Sequence, residues 1–167
     1  MKYGSIAAGS KETLNTAKDI LIEGGNAFDA TVGAIFTSMT SEFALTGAGG
    51  GGILISSSKD QHPMIYDFFV NYPLNNVNSN LDFKKIKVDF GNTSQDFFIG
   101  KGSSAVPGNI AGLLQVQREK GILPLDMVLQ PAIKIAKDGV ILSKYQSYIN
   151  KLIKPILTDS KMGKQLF

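Results

Sequence analysis

Thr46-Gly47-Ala48-Gly49-Gly50-Gly51-Gly52 is the stretch that decides the fold, and the β-prone run Ile53-Leu54-Ile55-Ser56 follows it directly. Five of its seven residues are glycine, which leaves room for another backbone or a ligand to approach closely. Three interpretations fit: a flexible linker, a tight crossing of packed elements, or a phosphate-binding loop. The apolar flanks disfavour a linker, and a strand rather than a helix after the glycines disfavours phosphate binding. The pattern therefore favours a close crossing at a sheet.

Two helices are predicted before this stretch. Lys11–Glu23 has apolar residues at three- and four-residue spacing, with Ser10 as its N-cap and Gly24-Gly25 as its left-handed end. Asn26 caps the second helix, and Asp29 favours the positive end of that helix. One face of the second helix has mainly small side chains. We expect that face to pack tightly against a sheet.

Strand patterns flank and follow the glycines. Gly4–Ala8 is small and apolar and predicts a short buried strand. Ile53–Ser57 and Met64–Phe69 predict an antiparallel hairpin, joined by the turn-rich segment Ser58–Pro63. The composition then changes, and residues from about 72 to 98 predict a polar loop that tolerates variation.

Helical patterns dominate the second half of the chain. Ile110–Glu119 predicts a helix that ends at Gly121. A further pattern spans Leu125–Ala136, and Pro131 inside it predicts a kink or a division at the preceding residue. Ser143-Lys144-Tyr145-Gln146 has the spacing of a capping box and predicts the start of a last helix.

Composition bounds the class of protein. The 167 residues are 43% apolar and 19% charged, which is enough for the core of one domain or for a piece of a larger one. The net charge of +3 is spread thinly, without a block of like charges, so the sequence indicates neither nucleic-acid binding nor membrane-surface binding. No segment approaches the roughly 18 apolar residues of a membrane span. If Met1 is the true start, the absence of a leader predicts a cytoplasmic protein.

Several kinds of site are excluded by the residues that the chain lacks. Without cysteine there is no disulfide, thiolate metal site or cysteine nucleophile. The single histidine, His62, precedes a proline in a predicted turn, and one histidine cannot build a zinc cluster. We therefore predict no metal and no cofactor.

Three blocks of sequence together resemble the N-terminal part of the gamma-glutamyltransferases, also called gamma-glutamyltranspeptidases. The first is Glu23–Ala30, similar to the GGNAvDAAvA segment of the family, and the second is Thr46–Gly52, similar to its SGiGGGGF segment. The third combines Val106–Gly112 with Leu129–Ile133 and Ala136–Gly139. Each glycine motif alone is weak, but the ordered set covers roughly residues 4 to 150 and is specific.

The resemblance implies an α+β fold of the N-terminal nucleophile hydrolase type, an αββα sandwich in which two antiparallel sheets lie between helical layers. Residues 1–167 would form the N-terminal portion of a single such domain, incomplete in this chain. Members of the family are precursors that cleave themselves. The newly exposed threonine attacks a gamma-glutamyl amide such as glutathione, and the acyl group then passes to water or to an amine.

The resemblance also implies that no catalytic residue lies in this chain. The nucleophile segment of the family, a Thr-Thr-His-like run, lies well beyond the matched regions and is absent from these residues. The expected partners are therefore a threonine-bearing C-terminal portion of the same precursor and a small-molecule gamma-glutamyl or acyl amide. A non-catalytic, truncated relative is the alternative from a different class.

The run Asp67-Phe68-Phe69-Val70-Asn71-Tyr72-Pro73 departs from the family pattern. Family members have an arginine and a glutamate after the aspartate and the aromatic residue, and the arginine holds the substrate α-carboxylate through two hydrogen bonds. Phe69 stands at the arginine position and Val70 at the glutamate position. By their positions in this motif, the resemblance implies Asp67, Phe69 and Asn71 as the candidate substrate-binding residues, although Asp67 also fits a structural role at the strand end.

The missing arginine bears directly on the substrate. Loss of a bidentate partner for a buried carboxylate costs about 2–5 kcal/mol, which removes most of the specificity for glutathione-like substrates. An amide hydrolase with an apolar acyl pocket, as in the acylase relatives of the family, is therefore the second interpretation.

Overall fold

The structure is a computed structural model that describes residues 4–59, 61–75 and 80–167. Its helices are α1 (Lys11–Ile22), α2 (Ala27–Ser41), α3 (Asn109–Lys120), α4 (Leu125–Asp138), α5 (Lys144–Leu152), α6 (Lys154–Leu157) and α7 (Lys161–Leu166), with a short 3-10 helix at Lys101–Ser103. Its strands are β1 (Gly52–Ser58), β2 (Gln61–Phe68), β3 (Lys84–Asp89) and β4 (Ser94–Ile99). None of the helices in these ranges has the length and apolar character needed to cross a membrane.

The chain divides into two compact units. The first contains the described residues of Met1–Asn71 and Pro107–Ile141, and the second those of Tyr72–Val106 and Leu142–Phe167. Both units mix helices with a two-stranded antiparallel sheet, which is β1–β2 in the first and β3–β4 in the second. The predicted α+β class is thus visible within each unit.

Helix α2 lies at the centre of the first unit, with α1 and α4 against it. A side-chain carbon at Gly33 would collide with Ile20 of α1 and would lie 2.9 Å from the Val128 carbonyl oxygen of α4, so only glycine allows this double contact. The buried hydroxyl groups of Thr16 and Thr37 lie 3.0 Å apart and join α1 to α2. The small-residue face of α2 was predicted to pack on a sheet, but it borders α1 and residues 5–8 instead.

The predicted ends of α1 and the predicted start of α2 are confirmed. The Ser10 hydroxyl accepts a hydrogen bond from the Thr13 amide at 3.2 Å. Gly24 has a φ of +98°, the left-handed conformation expected after a helix. Asn26 and Asp29 form a reciprocal capping box at the start of α2.

Asp29 does more than cap its helix, because its carboxylate is fully buried and bonded to distant residues. Its Oδ2 accepts from the Asn26 amide at 2.8 Å, and its Oδ1 accepts from the Gln117 side-chain amide at 2.7 Å. The backbone amides of Ile122 and Leu123 also donate to Oδ1, at 3.1 and 3.2 Å. One carboxylate thus ties the start of α2 to the α3–α4 connection.

Gly121 ends α3 as predicted, but for a different physical reason. Its φ of −69° is open to any residue, so a left-handed turn does not require glycine here. A side-chain carbon at this position would instead collide with the Gln117 amide and lie 2.7 Å from Asp29 Oδ1. Glycine is needed because the chain passes directly over the buried carboxylate.

Another prediction for the first unit, a strand at residues 4–8, is wrong. Gly4–Ala8 forms no strand and is mostly exposed, because no partner strand lies beside it in the part of the chain that the structure describes. Of the two outcomes predicted at Pro131, a division is excluded, because helix α4 continues through this residue to Asp138, whereas the kink remains a prediction. The amphipathic face of α4, with Val128 and Ala132 buried, holds the helix together across the missing backbone donor.

The β1–β2 hairpin is antiparallel, as predicted, with Leu54 opposite Tyr66 and Ile55 opposite Ile65. Leu54 and Tyr66 face the core, whereas Ile55 and Ile65 lie on an exposed face. Strand β2 begins at Gln61, so part of the predicted turn is strand, and Asp60 lies outside the described residues. Pro63 fits because the pairing with β1 is irregular beside it, where no ladder donor is required.

The β3–β4 hairpin lies in the segment 72–98 that was predicted as a polar loop. Residues 84–89 and 94–99 form strands because apolar side chains alternate along them, with Val88 buried. The rings of Phe83 and Phe98 stack 4.9 Å apart, and Lys85 forms an ion pair with Asp96 at 3.2 Å. Residues 76–79 of the predicted loop lie outside the described ranges, and its variability remains a prediction.

The end of the second unit is helical. Ser143 and Gln146 form the predicted capping box at the start of α5. Lys84 of β3 pairs with Asp159, after α6, at 2.9 Å. This pair is half-exposed, and such pairs contribute about 0–1 kcal/mol, so it fixes geometry more than it adds stability.

We expect Asp29→Ala to lower the free energy of unfolding by about 3–5 kcal/mol, because four donors would lose their buried acceptor. Urea denaturation followed by circular dichroism measures this change. The matched control is Asp19→Ala on the exposed side of α1, which should shift stability by less than about 0.5 kcal/mol. Equal effects of the two substitutions on the free energy of unfolding would show that the hydrogen bonds of Asp29 do not stabilise the first unit.

Candidate functional site

The backbone of Phe68–Val70, just at and after the end of β2, lies between two glycines. A side-chain carbon at Gly51 would lie 2.7 Å from the Phe69 carbonyl carbon and would collide with the Val70 amide. A side-chain carbon at Gly108 would lie 2.7 Å from the Phe68 carbonyl carbon. We call this arrangement the glycine clamp. It holds the backbone of the segment that carries the predicted substrate residues.

The glycine loop also caps helix α3. The Gly50 carbonyl accepts hydrogen bonds from the amides of Gly108 and Asn109 at 3.1 and 3.0 Å. Such acceptors are needed because the first amides of a helix have no partner within it, and Gly108 has no side chain to cap them. The Gly47 carbonyl accepts from the Asn109 side-chain amide at 2.8 Å. Of the three interpretations of the loop, these contacts support the close crossing.

The predicted substrate residues lie along one continuous segment. Asp67 is exposed in β2, and its Oδ1 accepts a hydrogen bond from the Phe69 amide at 3.0 Å. Phe69 follows the end of β2 and is 62% exposed. Asn71 is also exposed. The Asp67 bond fits the structural role that the sequence left open, and contact with substrate remains a prediction for all three residues.

A cavity of about 420 Å³ lies beside this segment, between β2 and α3. It is lined by residues 65–68 of β2 and by residues of α3 that include Ala111, Gly112 and Gln115. The Phe68 ring packs directly on Gly112, where a side-chain carbon would collide with it. The cavity opens next to Asp67, so a ligand held by the exposed segment has room along α3.

Tyr66 gives this region an unusual electrostatic feature. Its hydroxyl oxygen is buried, and the Glu119 carboxylate is close enough to interact with it. Burial raises the pKa of Tyr66, and the nearby Glu119 carboxylate raises it further. Tyr66 therefore stays neutral through the physiological range and is not poised as a base.

The described residues of this region include side chains that can contact a ligand. Within residues 4–59, 61–75 and 80–167, no three His, Cys, Asp or Glu side chains come together as metal ligands. The exposed carboxylate of Asp67 and the ring of Phe69 can contact a ligand.

Comparison with known proteins first gives the fold. The crystal structure of Helicobacter pylori gamma-glutamyltranspeptidase superposes on the whole of this chain with a TM-score of 0.81 and 25% identity, and 47% of that chain is covered. The likeness places the two units in an α+β fold of the N-terminal nucleophile hydrolase type.

The family follows from the sequence comparisons. The model of the family described as Gamma-glutamyltranspeptidase matches residues 14–167, so the chain belongs to that family. The glutathione hydrolase proenzyme of Escherichia coli (strain K12) is 32% identical over 144 residues, which are 85% of this chain and 24% of that protein. The acylase ACY 1 proenzyme of Pseudomonas sp. (strain SE83) is 30% identical over 77% of this chain and 23% of its own length. This chain spans about a quarter of the length of these relatives.

Sequence reasoning did not identify Asn109 as a contributor to this region. In the sequence, Asn109 was noted only as part of Val106–Gly112 in the family resemblance. Its side chain is buried and joins α3 to the glycine loop. The available signal was a polar residue directly after Pro107-Gly108, at the start of a predicted helix. Its partner lies 62 residues away along the chain, which local patterns cannot supply.

We expect Gly51→Ala to lower the free energy of unfolding by about 1–3 kcal/mol, because the new methyl group would overlap the Phe69–Val70 peptide. Gly49→Ala is the matched control in the same loop, since no atom lies within 4 Å of its side-chain position. The control should be neutral or stabilising by up to about 1 kcal/mol. Thermal denaturation of both variants measures the difference. Equal stability of the two would contradict the glycine clamp.

Proposed function

We propose that this chain is the N-terminal part of a gamma-glutamyltransferase-like amidohydrolase and acyltransferase that cleaves gamma-glutamyl amides such as glutathione. The reaction would pass through a threonine acyl-enzyme, with the threonine supplied by a segment outside this chain. Membership of the family carries this proposal. The glycine clamp supports it, because it fixes the backbone of Phe68–Val70, within the segment that resembles the substrate motif of the family.

The proposed partner is a threonine-bearing C-terminal portion of the same precursor. Two of the relatives have the word proenzyme in their names. The β1–β2 hairpin supports the idea, because Ile53, Ile55 and Ile65 form one exposed apolar face. Such a face is unfavourable in water and invites cover by another element. The extended residues 4–8 likewise lie without a strand partner among the described residues.

Assay of gamma-glutamyl-p-nitroanilide tests this proposal. The 167-residue chain alone should release no p-nitroaniline, and the chain produced together with the threonine-bearing portion should release it. Replacing that threonine with alanine is the control and should abolish release. Release by the isolated chain would contradict the proposal, and an inactive but well-assembled pair would favour the non-catalytic alternative.

Phe69 favours a second candidate, an acylase-like hydrolase with an apolar acyl pocket. Its exposed ring offers apolar contact and no partner for a carboxylate. The only arginine of the chain, Arg118, cannot take over that task directly. It lies ten residues beyond Gly108, which touches Phe68, and ten residues of helix span about 15 Å.

Substrate preference separates the two candidates. In the assembled enzyme, a higher kcat/KM for gamma-glutamyl-p-nitroanilide than for hexanoyl-p-nitroanilide would support the glutamyl proposal, and the reverse order would support the acylase. Phe69→Arg combined with Val70→Glu restores the family pair and should raise kcat/KM for the gamma-glutamyl substrate about thirtyfold or more. Phe69→Leu is the apolar control and should not raise it. If the double variant shows no gain, Phe69 does not occupy the carboxylate position.

A further inference from the structure

We propose that Asn109 is a positioning residue, whose buried carboxamide holds the glycine loop in place and, through Gly51, sets the position of Phe69 and Val70. The role of these residues toward substrate rests on the proposed function, whereas the mechanical link from Asn109 to them does not. None of residues 67–73 holds the glycine loop against Phe69 and Val70 in this way. The link arises from one side chain at the start of α3.

The first step of the link is hydrogen bonding from Asn109 to the glycine loop. Asn109 is only 4% exposed, so its side chain is shielded from water that could replace its partners. Its side-chain amide donates to the Gly47 carbonyl at 2.8 Å, and its backbone amide donates to the Gly50 carbonyl at 3.0 Å. The Gly50 amide closes the turn by donating to Gly47 at 3.1 Å. One residue therefore holds both ends of the Gly47–Gly50 turn.

The second step runs from the loop to the candidate site. Gly51 follows the gripped turn directly and touches the peptide between Phe69 and Val70. Gly108 presses on the Phe68 carbonyl. Because Gly51 lies directly against the Phe69–Val70 peptide, a shift of Gly51 toward that peptide would displace it. Glycine residues alone have many accessible conformations, so the loop needs an external tether to stay in one of them.

Amide hydrogen exchange, resolved by residue with NMR in the full chain, tests this link at pH 7.5 and pH 4.5. Asn109→Ala should accelerate exchange at Gly50, Gly108 and Phe69 on the order of three- to tenfold over wild type at both pH values, since one buried hydrogen bond is lost. These three amides donate to Gly47, Gly50 and Asp67. Asn15→Asp, on the exposed side of α1, is the control and should change none of them.

Asn109→Asp separates positioning from the stability of α3. A carboxylate is favourable near a helix N-terminus, so α3 itself tolerates this change. When ionised, the new carboxylate would repel the Gly47 carbonyl. When protonated, its hydroxyl would donate to Gly47 and restore the tether. Exchange relative to wild type should therefore be accelerated at pH 7.5, where the carboxylate is ionised, and less accelerated at pH 4.5, where more of it is protonated.

Two results would overturn the proposal. Faster exchange at Gly50 with unchanged exchange at Phe69 would mean that Asn109 holds the loop without positioning the segment. An Asn109→Asp variant whose exchange at Gly50, Gly108 and Phe69 equals that of wild type at both pH values would mean that the side-chain tether does not exist. This second result decides the matter even if Asn109→Ala does not fold.

Steady-state kinetics of the assembled enzyme provide a second test, which depends on the proposed function. There, Asn109→Ala should raise KM on the order of three- to tenfold with little change in kcat, because it displaces binding residues and not the nucleophile. Unchanged KM alongside accelerated exchange would overturn the link to substrate. An inactive wild-type assembly would instead count against the proposed function and leave the exchange result standing.

Discussion

The buried carboxylate of Asp29 is the constraint on which the first unit depends. A charge out of contact with water is tolerable only when donors surround it, and four donors from Asn26, Gln117, Ile122 and Leu123 do so. Three of them belong to α3 or to its connection with α4, so the end of α3 is fixed against the start of α2. Helix α3 then acts as a rigid rod of about 18 Å. Fixing one end places the other, where Gly108 and Asn109 meet the glycine loop.

Glycine is needed in this unit because it allows close contact between elements, not because it makes the backbone flexible. At Gly33, Gly51, Gly108 and Gly121, a single added carbon would overlap a neighbouring helix, strand or carboxylate. These positions lie on different elements, and each allows one element to approach another more closely than a side chain permits. Because these elements are so close, a small increase in side-chain volume at one of the glycines would destabilise the first unit, and a shift of one element would displace its neighbour.

Local patterns predicted the local parts of this structure. Ser10 with Thr13 and Ser143 with Gln146 are contacts three residues apart, so spacing alone identified these caps. The hydrogen bonds of Asp29 with Gln117 and Leu123, and of Asn109 with Gly47, join residues that are 62 to 94 positions apart in the sequence. The periodicity of apolar residues gives no information about such pairs. The strand predicted at residues 4–8 failed because a strand is defined by its partner. For the candidate site, the position of residues 67–71 followed from family resemblance, whereas the clamp that holds their backbone required the structure.

The clamp explains how the backbone at residues 68–70 can keep its path whatever side chain stands at position 69. Gly51 and Gly108 contact backbone atoms of Phe68, Phe69 and Val70, so the path of the chain does not depend on the residue at position 69. The side chain of Phe69 points into exposed space and contributes little to the core. In the proposed enzyme, exchange of arginine for phenylalanine therefore alters what is bound without altering the fold, because the atoms that fix the segment and the atoms that meet the substrate are different ones.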